Sequence, residues 1–150
     1  MSGYVRVAME QRQLSREVIA YATAGGCGIA ALAIPVAEIT SKEGVDVNAS
    51  AGGWLGGFLV VGVALLALGG RLIRGSLFAI VGGVLLDLVG VLLVGLVVAL
   101  ATYGNTLIVD MWDSDAGGRH GPGVIVIVAG ALCALVGLVL DIGGGRRRVA

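Results

Sequence analysis

The sequence predicts an all-α integral membrane protein, a four-helix transmembrane bundle with both termini cytoplasmic, and three observations carry that expectation. The 150-residue chain is 57% hydrophobic, and its 27 glycines bring the apolar share to about three quarters, against ~45–50% in a soluble domain. Charged residues make up 13%, about half the usual ~25%. A body this small cannot hide so much apolar surface in one core, so the excess must face lipid. Third, four apolar stretches stand out, about residues 19–40, 53–69, 76–101 and 123–142. Each is near or above the ~20 residues that a helix needs to cross ~30 Å of hydrocarbon. The runs are unbroken, whereas the strands of a membrane barrel would alternate polar and apolar residues over ~10-residue segments. This composition excludes a soluble cytoplasmic enzyme, a disordered tail, a disulfide-stapled secreted domain and a nucleic-acid binder.

Residues 1–18 form a cytoplasmic or interfacial segment. Tyr4, Val5, Ala8 and Met9 suit a helix lying against headgroups, and a helical extension of the first span suits the same residues equally. The first span carries Ala20, Ala24, Cys27 and Ala31 at helical spacing, then Pro35, which predicts a kink, and Glu38 one turn beyond it. The second carries Gly53, Gly57, Val60, Ala64 and Ala67, and the turn that follows, Gly70 to Gly75, is short enough to make spans two and three antiparallel neighbours. The third, the longest, carries Ser76, Ala79, Gly83, Asp87 and Gly90, and the fourth carries Gly130, Ala134, Gly137 and Asp141. Residues 143–150 make a basic cytoplasmic tail behind the bundle of residues 19–142.

Lipid tails are as apolar as leucine, so burial alone cannot hold such helices together; close backbone approach can. Gly53, Gly57, Gly83, Gly90, Gly130, Ala134 and Gly137 are therefore the expected packing positions, with small faces turned inward. Gly62 and Gly95 fall outside these stripes and are left for docking another protein.

Orientation follows from the basic residues, which cytoplasmic segments retain. Eight of the ten lie on one side: Arg6, Arg12 and Arg16, then Arg71 and Arg74, then Arg146, Arg147 and Arg148. The other side keeps Lys42 and Arg119 among Glu43, Asp46, Asp110, Asp113 and Asp115.

Asp87 is the informative carboxylate. It falls about eleven residues into its span, ~16 Å from the cytoplasmic edge, where an ionised Asp costs at least ~2.5–3.5 kcal/mol. No Lys, Arg or His lies within a span to pair with it. Three outcomes are open: a structural Asp bonded to a neighbouring helix, a proton or ion site together with Glu38, or a ligand site. Asp141 reads as an interfacial ion pair beside the terminal arginines. Asp113, Asp115 and Gly118 fit positions 1, 3 and 6 of a calcium loop, but position 5 is Gly117 and the position that needs a bidentate Glu is Val124. With Asp110, the acidic pair Asp113 and Asp115 makes at most a weak divalent site, so no metal and no cofactor is expected.

No nucleophile triad, phosphate loop or dinucleotide fingerprint is present. The sequence therefore predicts a non-catalytic accessory or structural subunit of a larger membrane assembly, in a respiratory, transport or virion membrane. The alternative is a small oligomeric proton or cation channel or transporter using Asp87. Expected partners are the lipid bilayer and other integral membrane proteins or further copies of the chain, not nucleic acid. The expected location is the plasma (inner) membrane of a bacterium or archaeon, or a viral membrane.

Overall fold

The computed structural model describes the backbone of residues 2–35, 37–40, 46–47, 52–112 and 117–149, and side chains within 16–35, 54–103 and 120–143. Among these residues lie four helices: α1 (Ser2–Ala31), α2 (Gly52–Leu72), α3 (Leu77–Trp112) and α4 (Gly123–Val149). Three are long and apolar enough to cross a membrane, over Trp54–Leu72, Leu77–Tyr103 and Gly123–Gly143. In α1 the charged pair Arg16 and Glu17 precedes the apolar stretch. That stretch, from Val18 to Ala31, rises only about 21 Å. The segment before residue 18 continues α1 as a helix from Ser2, the extension rather than a separate element.

The bundle runs up, down, up and down. Gly28 of α1 abuts Gly56 of α2 while Glu17 meets Arg74, so α1 and α2 are antiparallel. Gly69 faces Gly83 and Gly62 faces Val94, so α2 and α3 are antiparallel as well. α4 lies antiparallel to α1, with Gly130 against Ala24 and Gly137 against Tyr21. The turn after α2, the charged part of α1 and the end of α4 thus share one end of the bundle.

Local sequence sets the helix boundaries. Ser76 precedes α3, and its carbonyl accepts from Ile80 N at 2.9 Å. Pro122 stands just ahead of α4, where its missing N–H costs nothing. α1 ends in two tight i→i−3 bonds, Leu32 N to Ile29 O and Ala33 N to Ala30 O, both 3.1 Å. Here the expectation of a kinked span is corrected: the helix stops at Ala31, four residues before Pro35, instead of bending through it. Pro35 would clash with the carbonyl of residue 31 and disfavours helical geometry at Ile34, so stopping is the less strained outcome. Its own carbonyl accepts from Gly123 N at 3.0 Å, tying the exit of α1 to the start of α4.

Beyond that point lies a small sheet: its first strand takes residues expected at the outer end of the first span, 19–40, and the other two take residues expected as loops. β1 (Ala37–Thr40) lies between β2 (Asp46–Val47) and β3 (Gly117–His120), antiparallel to both. Glu38 pairs in register with Arg119 on β3, so it belongs to a strand and not to a helix end. Asp113 and Asp115 lie outside the described residues; Asp110 is on the last turns of α3.

The interior interdigitates large and small side chains. Its buried residues include Ala24, Ala31, Leu55, Leu59, Val63, Leu66, Val97, Ile127 and Ala134. Leu59 lies against Gly130, and Leu66 against Gly90. With lipid on the outside, such knob-on-glycine contacts hold the helices by dispersion and close fit. Gly62 is buried against Val94, so it packs α2 onto α3 and offers no docking surface. Thr23 and Thr102 return their hydroxyls to carbonyls one turn back, Ile19 O and Val98 O, each at 2.8 Å.

Candidate functional site

The charged end of the bundle is organised around Arg74, in the turn between α2 and α3. Its Nη2 donates to Glu17 Oε2 of α1 at 2.9 Å and also to Asp141 Oδ1 of α4. The two carboxylate side chains are only 7% and 8% exposed, while that of Arg74 is 25% exposed. Partial burial works against the guanidinium charge, but the hydrogen bond to Glu17 and the charge of Asp141 outweigh it and raise its pKa. One side chain therefore joins three segments that are far apart in sequence. Tyr21 adds to the set: its hydroxyl faces Asp141 Oδ2 at 3.5 Å, the outer limit of a hydrogen bond. The Tyr21 ring lies over Gly137, where a methyl group would come within 2.7 Å of it.

Two adjacent glycines of α2 make room for two carboxylates. A methyl on Gly70 would collide with Asp141 Oδ2, and one on Gly69 would collide with Asp87 Oδ1. Asp87 packs at the level of Gly69, one turn before α2 ends, and therefore nearer the arginine end than a count along α3 alone suggests. The first turns of α3 account for the difference: Gly83 lies against Ile73, so residues 77–82 run on past the end of α2. Asp87 Oδ1 is buried with no hydrogen-bond partner, and Asp141 is within electrostatic reach.

The sequence-derived positions divide accordingly. Gly83, Gly90, Gly130, Ala134 and Gly137 are buried where helices meet. On α2 the close contact falls on Gly56, against Gly28 and Leu32, while a methyl on Gly57 would meet open space, a correction of one position. Gly53 is in the first turn of α2. Asp141 is ion-paired with Arg74; the side chains of the terminal arginines expected beside it lie outside the described residues. Asp87 and Glu38 are not brought together: Asp87 lies beside Gly69 near the arginine turn, Glu38 in the sheet at the other end. Pro35 is a helix-exit residue. Among the described residues no cluster of His, Cys, Asp and Glu could hold a metal ion.

Sequence reasoning missed Glu17, Tyr21 and the pair Gly69-Gly70. Glu17 left a signal, being the last charge before an apolar run and spaced four residues from Tyr21 on one helix face.

A groove opens between α1 and α2 beside this cluster, with a volume of about 370 Å³. No family model, curated protein sequence or solved structure matches this chain.

Proposed function

We propose that the chain crosses a membrane four times with both termini on the cytoplasmic side, and serves as a non-catalytic structural or accessory subunit of a larger membrane assembly. For α1, the support is its contact at two levels: Glu17 meets Arg74 just beyond one end of α2, and Gly28 abuts Gly56 near the other. Leu32 to Pro35 then continue the apolar path beyond the helix. The end carrying Arg16, Arg71, Arg74 and the arginines of the tail is the cytoplasmic one by the positive-inside rule. Bacterial, archaeal or viral membranes fit this arrangement.

The observation that carries the structural role is the use made of charge. Arg74, in the α2–α3 turn, binds both Glu17 of α1 and Asp141 of α4. Outside the bundle, Val81, Leu85, Leu88, Leu92 and Leu96 are exposed on α3, and methyl groups on Gly82 and Gly95 would meet nothing within 4 Å. Such a surface accepts lipid or another membrane helix. Purification in mild detergent followed by mass spectrometry tests this: a stable complex with other membrane proteins is the expected outcome, and recovery of the chain alone contradicts an accessory role.

The unpartnered Oδ1 of Asp87 favours a second reading, proton or cation passage. That reading requires flux in proteoliposomes that Asp87→Asn abolishes. The structural reading expects no flux from either protein.

A further inference from the structure

The groove between α1 and α2 is graded in polarity along its length. Its wall on α2 is the face Val60, Ala64, Ala67 and Arg71; its wall on α1 is the face Glu17, Tyr21, Ala22 and Gly25. At one end stand Arg71, Arg74, Glu17 and Asp141, and toward the other only apolar groups remain. The groove exists because α1 and α2 touch closely at Gly28 and Gly56, while the residues nearer the arginine end are too small to fill the space between them. A methyl on Gly25 would meet no atom within 4 Å.

Charge is unevenly spent at the polar end. Arg74 is taken up by Glu17 and Asp141. Arg71 is exposed and has no ion pair among the described residues, which leaves one free cation at the mouth of an apolar channel. Length supplies an independent match. Val60 to Arg71 spans about 16 Å of helix, close to the ~15 Å depth of hydrocarbon in one leaflet. The volume of about 370 Å³ also falls in the ~300–1,000 Å³ range of small-molecule sites.

We infer that this groove holds one acyl chain of an anionic phospholipid, with the headgroup phosphate on Arg71 and the tail lying over Gly25, Ala64 and Ala67. The charged lining of the groove is formally neutral, so the attraction for an anionic headgroup comes from Arg71, whose planar guanidinium is engaged by neither carboxylate and can meet two phosphate oxygens at once. The inference rests on the membrane placement proposed above for bringing lipid to the groove. It adds a site, an orientation and a headgroup preference.

The full chain, reconstituted in vesicles of phosphatidylcholine doped with phosphatidylglycerol, is extracted in mild detergent and analysed by native mass spectrometry. One retained phosphatidylglycerol per chain is expected, enriched about fivefold over its share of the bilayer. Arg71→Gln is expected to abolish the enrichment while lipid is still retained, and Gly25→Leu to abolish retention. Gly95→Leu, on an open face of α3, serves as the control and is expected to retain the lipid. Absence of an adduct from a chain that floats with the vesicles overturns the inference and leaves the membrane placement intact, whereas a chain that fails to float with them overturns both. An adduct insensitive to both groove variants, one equally lost in Gly95→Leu, one displaced by inorganic phosphate alone, or a second copy of the chain in place of lipid also overturns it.

Discussion

Asp141 on α4 occupies the space that any side chain on Gly70 of α2 would need. The carboxylate that Arg74 draws inward can reach it only because the helix beside it presents bare backbone there. Gly69, the preceding residue, does the same for Asp87. A glycine pair near the end of an apolar helix is thus a seat for two acids, and it sets how closely α2, α3 and α4 approach at the charged end.

That seat can be tested one residue at a time. At Gly69 a methyl would meet Asp87 and also the Gly83 carbonyl at 2.8 Å, and backbone cannot step aside. Gly69→Ala is therefore expected to destabilise by about 1–3 kcal/mol, the usual range for overpacking. At Gly70 the obstacle is the far end of the Asp141 side chain, which can swing away at the expense of its bond with Arg74. Gly70→Ala should cost less, about 1 kcal/mol. Unfolding of the detergent-solubilised protein, followed by circular dichroism, gives both values, and equal losses would mean that the carboxylates do not distinguish the two positions.

Gly56 and Gly57 make a sharper pair because one faces the backbone of α1 and the other open space. A methyl on Gly56 would collide with the Gly28 carbonyl and come within 3.0 Å of Leu32 N, whereas one on Gly57 would meet nothing within 4 Å. Gly56→Ala is expected to force α1 and α2 apart and cost about 1–3 kcal/mol. Gly57→Ala should be neutral or stabilising by about 0.5–1 kcal/mol, since alanine favours helix. The same unfolding assay decides, and comparable losses from both substitutions would count against the register of α1 on α2.

Removing Arg74 strands two carboxylates that are almost fully buried. An exposed ion pair is worth ~0–1 kcal/mol, and breaking a buried one costs ~3–5 kcal/mol. With Glu17 and Asp141 at 7% and 8% exposure, Arg74→Met belongs nearer the second figure. The cause is uncompensated charge, so adding Glu17→Gln and Asp141→Asn to Arg74→Met should restore much of the loss. A triple variant no more stable than Arg74→Met would show that the arginine acts through packing alone.

Much of this fold is legible as hydropathy, and the site is not. The run expected at 123–142 lies within α4, and that at 53–69 within α2, because unbroken apolar runs have few alternatives in lipid. Which face of each helix turns inward is another matter. A residue is rotated ~100° from its neighbour, and a helix apolar on all sides carries no stripe to fix that angle. The sequence therefore points to Gly57 where the structure packs Gly56, and leaves Gly62 for docking where the structure buries it. The Arg74 cluster joins residues 57 and 67 positions apart, a pairing that periodicity within one helix cannot reveal. Pro35 was visible, but whether a proline bends a helix or ends it depends on what receives the chain afterwards. Here that is β1 and the amide of Gly123.

Crossing by α1 is the point on which the topology turns, since its apolar stretch is the shortest of the four. With Cys27 and Cys133 replaced by alanine, single cysteines at Ser2, Ser76 and His120 can be labelled with a membrane-impermeant maleimide in intact cells and in inverted vesicles. Ser76 follows the arginine turn, and His120 ends β3 at the other end of the bundle. Four crossings put Ser2 and Ser76 on one side, labelled only in inverted vesicles, with His120 labelled only in intact cells. If α1 merely lies against the bundle from the sheet side, Ser2 labels together with His120. The structure favours the first pattern because Glu17 reaches Arg74 at 2.9 Å, which keeps the charged part of α1 at the arginine end, away from the sheet.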